Sequence, residues 1–176
     1  MRKFFHLLSI SLVTACSQGI EVPEPPDYST LVAAQKDAIR YVGPETKVLA
    51  VCGASTGGGV YLDNLDEAFD EDGISSGQII FVEDADGNPN ILSRDALPEL
   101  IVASEDGGVV NRISGREPSG LGLWTIVYPQ TGVTVSHNLS GLIDGQLVDL
   151  WVQNKPPLHM LPARAQTFLA ACTEPR

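Results

Sequence analysis

Positive charge is scarce in this sequence. It carries 11 Lys and Arg against 22 Asp and Glu, a formal charge of −11. No basic cluster offsets that balance, so the surface repels nucleic acid and anionic lipid headgroups. Histidine is also scarce, at three residues. His137 and His159 lie far apart, and no further His or Cys is free to complete a zinc ligand set. After the first residues no apolar run is long enough to span a membrane. No internal repeat is evident. The one glycine-rich loop lacks the Lys of a phosphate-binding loop. The acidic stretches miss the spacing of the helix–loop–helix Ca²⁺ site, Asp84-Ala85-Asp86-Gly87-Asn88 by one position. The expectation is therefore of no metal and no cofactor.

What is present begins with an address. Arg2 and Lys3 precede a short apolar stretch, Phe4 to Val13, and then Val13-Thr14-Ala15-Cys16. That order matches an export signal. The small residues before Cys16 resemble the lipobox of bacterial lipoproteins. The resemblance implies cleavage before Cys16 and lipidation of Cys16. The alternative is an ordinary secretory signal with a chance cysteine. Ser17, rather than Asp, follows the cysteine, which by the same resemblance implies sorting to the outer membrane, on its periplasmic face. Pro23, Pro25 and Pro26 then favour extended backbone. The expected organisation is a signal peptide over 1–15, a lipid-anchored Pro-rich tether over 16–27, and one domain over 28–176.

With Cys16 lipidated, Cys52 and Cys172 remain as an even pair in an oxidising compartment, which favours a disulfide over two buried free thiols. Asp27 to Val42 reads as a helix, capped by Asp27 or Ser29, with Leu31, Ala34, Ala38 and Tyr41 or Val42 at helical spacing. Gly43-Pro44 stops it. Val48 to Cys52 is an apolar strand. A glycine-rich turn follows, and the strand pattern resumes at Val60. Short strand patterns then recur between tight turns, among them Gln78–Glu83, Asn90–Arg94, Leu121–Tyr128, Val133–Asn138 and Gln146–Gln153. Pro162 opens a last segment, Ala163–Cys172, that reads as a helix with Phe168, Leu169 and Cys172 on one face. The expected fold is mainly β. It is an antiparallel meander curved into a small sandwich or barrel, with an N-terminal helix and a C-terminal helix docked on the sheet.

Several of these stretches together are similar to an uncharacterised family of small exported proteins of alphaproteobacteria. They are Cys52-Gly53-Ala54-Ser55, Asp72-Gly73-Ile74-Ser75, Glu105-Asp106-Gly107-Gly108, Val127-Tyr128-Pro129 and Phe168-x-Ala170-x-Cys172. The resemblance runs from Cys52 to Cys172 and implies a disulfide between them. It implies no activity and no catalytic residue. The chain departs from the family pattern at Gly57-Gly58-Gly59, where bulkier residues stand before the position of Tyr61.

Four groups of residues could carry function. Gly53-Ala54-Ser55-Thr56-Gly57 spells Gly-x-Ser-x-Gly. A nucleophile elbow needs a helix after the serine, and Gly57 to Leu62 reads as turn and strand instead. A triad at Ser55 would need His137 or His159 with an Asp nearby. Asp63, Asp66, Glu67, Asp70, Glu71 and Asp72 could offer oxygen ligands to Ca²⁺, but read better as a solvated loop. Tyr61, Trp124, Tyr128 and Trp151 could face a ligand, against the simpler reading of core packing. The expectation is a non-catalytic envelope lipoprotein module that binds an envelope partner or a small ligand. The alternative is a serine hydrolase using Ser55.

Overall fold

The computed structural model describes residues 22–61, 70–74, 77–95, 99–113, 120–157 and 162–175. The expected signal peptide and Cys16 lie outside them. Among the described residues one helix, α1 (Tyr28–Tyr41), precedes ten strands. These are β1 (Lys47–Tyr61), β2 (Asp70–Ile74), β3 (Gln78–Glu83), β4 (Pro89–Arg94), β5 (Ile101–Val102), β6 (Val109–Ile113), β7 (Leu123–Tyr128), β8 (Val133–Ile143), β9 (Gln146–Lys155) and β10 (Arg164–Thr173).

Asp27 starts α1 because its carboxylate accepts from the Thr30 amide at 2.8 Å, one of the donors a helix start leaves free. The bonds from Thr30, and then Ser29, hold that carboxyl below its usual range. Ala34 and Ala38 are fully buried. They face Val51, Ile80, Val82 and Leu92, so α1 lies on the outer face of β1, β3 and β4. Small residues let the helix approach the sheet closely.

The sheet runs β5-β4-β3-β1-β10-β9-β8-β7-β6, with β2 beside β1. All paired strands are antiparallel. The sheet curls into a half-barrel. Phe81 on β3 meets Trp124 on β7 edge to face at 5.2 Å, although four strands separate β3 from β7 in the sheet. An ion pair from Arg112 on β6 to Glu83 on β3 also crosses the interior. The core inside the curl includes Leu49, Phe81, Ile91, Leu139, Leu147 and Phe168.

Two expectations are corrected here. The segment Ala163–Cys172 is not a C-terminal helix. It is strand β10, hydrogen-bonded between β1 and β9. Phe168, Ala170 and Cys172 alternate into the core, and Leu169 and Ala171 are buried on the other side. Its alanines favour a helix only weakly, and two flanking strands supply backbone partners along its length. The glycine-rich turn after Cys52 is likewise absent. β1 continues through it to Tyr61, with a bulge between Cys52 and Ser55. The glycines serve close approach instead. A Cβ on Gly57 would lie 2.0 Å from the Thr167 carbonyl oxygen and 2.9 Å from the Phe168 ring. Cys52 and Cys172 stand directly opposite each other on β1 and β10, in disulfide contact.

Candidate binding cavity

Strand register builds the site. Phe168, Trp151, His137, Trp124 and Arg112 are successive cross-strand partners on β10, β9, β8, β7 and β6. Directly opposed residues share a face, so this row lines the inside of the curl. Phe168 stacks on Trp151 with centroids 4.2 Å apart, and the Trp151 and His137 rings are 5.7 Å apart. Arg112 closes the far end of the row. Its guanidinium lies 5.3 Å from the Trp124 ring and donates to the carbonyls of Leu121 and Gly120. Trp124 is fully buried and donates Nε1–H to the Leu121 carbonyl at 2.9 Å.

Beside this row a cavity of about 540 Å³ opens between the β3–β4 wall and the β7–β9 wall. Ile79, Ile91, Ile126 and Val135 give it apolar sides. Its buried floor is Ser55, His137 and Trp151. Its mouth carries Asp95, Asp106 and Lys155, all exposed, with Arg94 and Tyr128 half-buried beside them. Burial, and then the negative charge of Asp106, raises the Tyr128 hydroxyl above its usual value, so it stays protonated and can donate. This is the size and lining of a small-molecule site: mostly apolar, with a few placed polar groups.

The floor is held by hydrogen bonds from neighbouring strands. His137 Nδ1 lies 2.7 Å from Asp149 Oδ2. Asp149 is two residues before Trp151 on β9, so it is a diagonal neighbour of His137 on the same face. It is completely buried, and its Oδ1 has no hydrogen-bond partner among the described residues. Ser55 Oγ accepts from Trp151 Nε1–H at 3.1 Å.

Of the residues picked from sequence, Tyr128 and Trp151 line the cavity. Trp124 lies outside its lining, sealed beneath Arg112. The side chains of Tyr61, Asp70, Glu71 and Asp72 lie outside the described residues, as do Asp63, Asp66, Glu67 and His159. Asp84 is occupied by its own turn. It accepts from the Asp86 and Asn88 amides and from the Asn88 side chain, and the Asn88 bonds chiefly lower its carboxyl. The sequence reading missed the His137–Asp149 pair. Both residues sit in alternating strands, but only the β8–β9 register brings them together. Among the described residues no three His, Cys, Asp or Glu side chains cluster as a metal site. Among them also, no helix is long and apolar enough to cross a membrane. No protein-family model matches the chain, and no curated protein matches it.

Proposed function

We propose that the chain is a non-catalytic module that holds a small, largely apolar ligand inside the half-barrel. Lipidated Cys16 tethers it to the periplasmic face of the outer membrane. The observation that carries the ligand reading is the cavity of about 540 Å³, apolar on its sides and polar on its floor. An exposed surface site would not need three polar or aromatic groups sunk behind aliphatic walls. The test is titration with ethylnaphthalene and acetylnaphthalene, followed by tryptophan fluorescence, since Trp151 lies on the floor. The wild type should bind at least one of them. Val135→Trp, which fills the cavity from β8, should bind neither while keeping its far-ultraviolet circular dichroism and a cooperative thermal transition. Equal binding by the filled variant would put the ligand elsewhere.

A second reading keeps Ser55 as a nucleophile, because Ser55 and His137 line the same cavity and Asp149 orients His137. Two features weigh against it. Ser55 lies within a continuous strand rather than at a strand-to-helix elbow. Its Oγ is hydrogen-bonded to Trp151, and among the described residues His137 makes no bond to it.

A further inference from the structure

We infer that the cavity floor is a pair of hydrogen-bond donors, His137 Nε2–H and Ser55 Oγ–H, that receives a neutral acceptor group. A ketone, ester or amide carbonyl on an otherwise apolar ligand fits that description. This rests on the ligand-binding reading and names the chemistry of the same site.

Asp149 governs the protons on the floor. It is wholly buried, and His137 is its one ion-pair partner among the described residues. One carboxylate oxygen meets His137 Nδ1, and the other has no hydrogen-bond partner among the described residues. A net negative charge in that position would be strongly disfavoured. The favoured forms of the pair are therefore the neutral ones. In one, a carboxylic acid donates its proton to Nδ1 of a neutral imidazole. In the other, an imidazolium donates to the carboxylate. Both forms carry a proton on Nε2. The forms that bare Nε2 either leave the buried pair negatively charged or put the acid proton on Oδ1, where it meets no acceptor among the described residues. His137 lines the cavity, so the remaining ring nitrogen serves as a donor there.

Ser55 adds the second donor. Its oxygen already accepts from Trp151 Nε1–H, which leaves its own hydrogen to be given. No acceptor for that hydrogen is present among the described residues, and the cavity lies next to it. Two donors side by side select an acceptor. A carboxylate head would bring an uncompensated negative charge beside the buried Asp149–His137 pair, and an ammonium head would bring an uncompensated positive charge against the His137 N–H, with one Ser55 lone pair left to accept from it. A neutral carbonyl satisfies both. The same proton on Nε2 would stop His137 from serving as a base toward Ser55.

The test uses the full chain and one apolar body with four heads: acetylnaphthalene, ethylnaphthalene, naphthoate and naphthylmethylamine. Acetylnaphthalene should bind about tenfold tighter than ethylnaphthalene, the margin two modest hydrogen bonds give. That margin should fall to about threefold in Ser55→Ala and in His137→Phe, and vanish when the two changes are combined. A long-range proton–nitrogen NMR spectrum of the free protein should show His137 protonated at Nε2. If His137→Phe does not fold, Ser55→Ala and this spectrum carry the test. A bare Nε2, a naphthoate or amine that outbinds the ketone, or equal binding of ketone and alkyl probes would overturn the donor floor. Equal binding would leave the cavity reading standing. Failure of both ketone and alkyl probes would remove the cavity reading and the donor floor together.

Discussion

Ser55 is the residue at which two chemistries compete. In a hydrolase its oxygen would give up a proton to a base within hydrogen-bond reach. Here the oxygen accepts from Trp151, and that indole is itself fixed by stacking on Phe168. On the proposed ligand-binding reading, a hydroxyl held this way is a positioned polar group. Ser55 should therefore not react with fluorophosphonate probes at rates above those of surface serines. Labelling of the wild type that disappears in Ser55→Ala would restore the hydrolase. The local pattern Gly53-Ala54-Ser55-Thr56-Gly57 suggests an elbow because glycine is common in tight turns. The strand forms instead because Gly57 and Gly59 make room for Phe168 and Gln166 of the neighbouring strand.

At the scale of elements, β1 and β10 form the spine of the sheet, side by side along nearly their whole length. Cys52 and Cys172 join them across 120 residues of sequence. In the chain-entropy model a loop of that length contributes about 5 kcal/mol by restricting the unfolded chain. That is a large share of a typical total of about 5–15 kcal/mol. The double change Cys52→Ala with Cys172→Ala should lower Tm by roughly 10–20 °C, as seen in thermal unfolding by circular dichroism. In a Cys16→Ser background the native, unreduced protein should show no titratable thiol, and two free thiols would contradict the pairing. Since β10 is a strand between two others, loss of the bond should not release it alone. Hydrogen exchange should show β1, β9 and β10 losing protection together.

At the scale of the whole molecule, the curl creates both the cavity and an asymmetry between its outer faces. α1 covers the outside of β1, β3 and β4. The chain leading into α1 passes Gly53, where Glu24 and Pro26 lie against the strand. The proposed tether therefore meets the domain on the side of β1. If Cys16 carries lipid, Cys16→Ser should move the protein from the membrane fraction to the soluble periplasm without changing probe binding. Unchanged membrane attachment in that variant would remove the anchor from the proposal.

The sequence alone determined what depends on near neighbours. The helix over Tyr28–Tyr41 could be read from Asp27 at its start, Ala34 and Ala38 on one face, and Gly43 at its end. The β character of the rest could be read from alternation and turn residues, as at Asp84–Asn88 and in β7 to β9. With Cys16 set aside as the expected lipidation site, Cys52 and Cys172 were left as the expected pair. What spans many strands was decided only by the tertiary structure. Ala163–Cys172 has the composition of a helix, and it became a strand because β1 and β9 offer hydrogen bonds on both sides. Trp124, Tyr128 and Trp151 looked alike as aromatic strand residues, yet the curl seals Trp124 under Arg112 and leaves the other two at the cavity. His137 and Asp149 became a pair through the β8–β9 register, which a shift of one residue would have turned outward. Helix caps and turns are local hydrogen bonds, whereas register and curl are set by packing across the whole sheet.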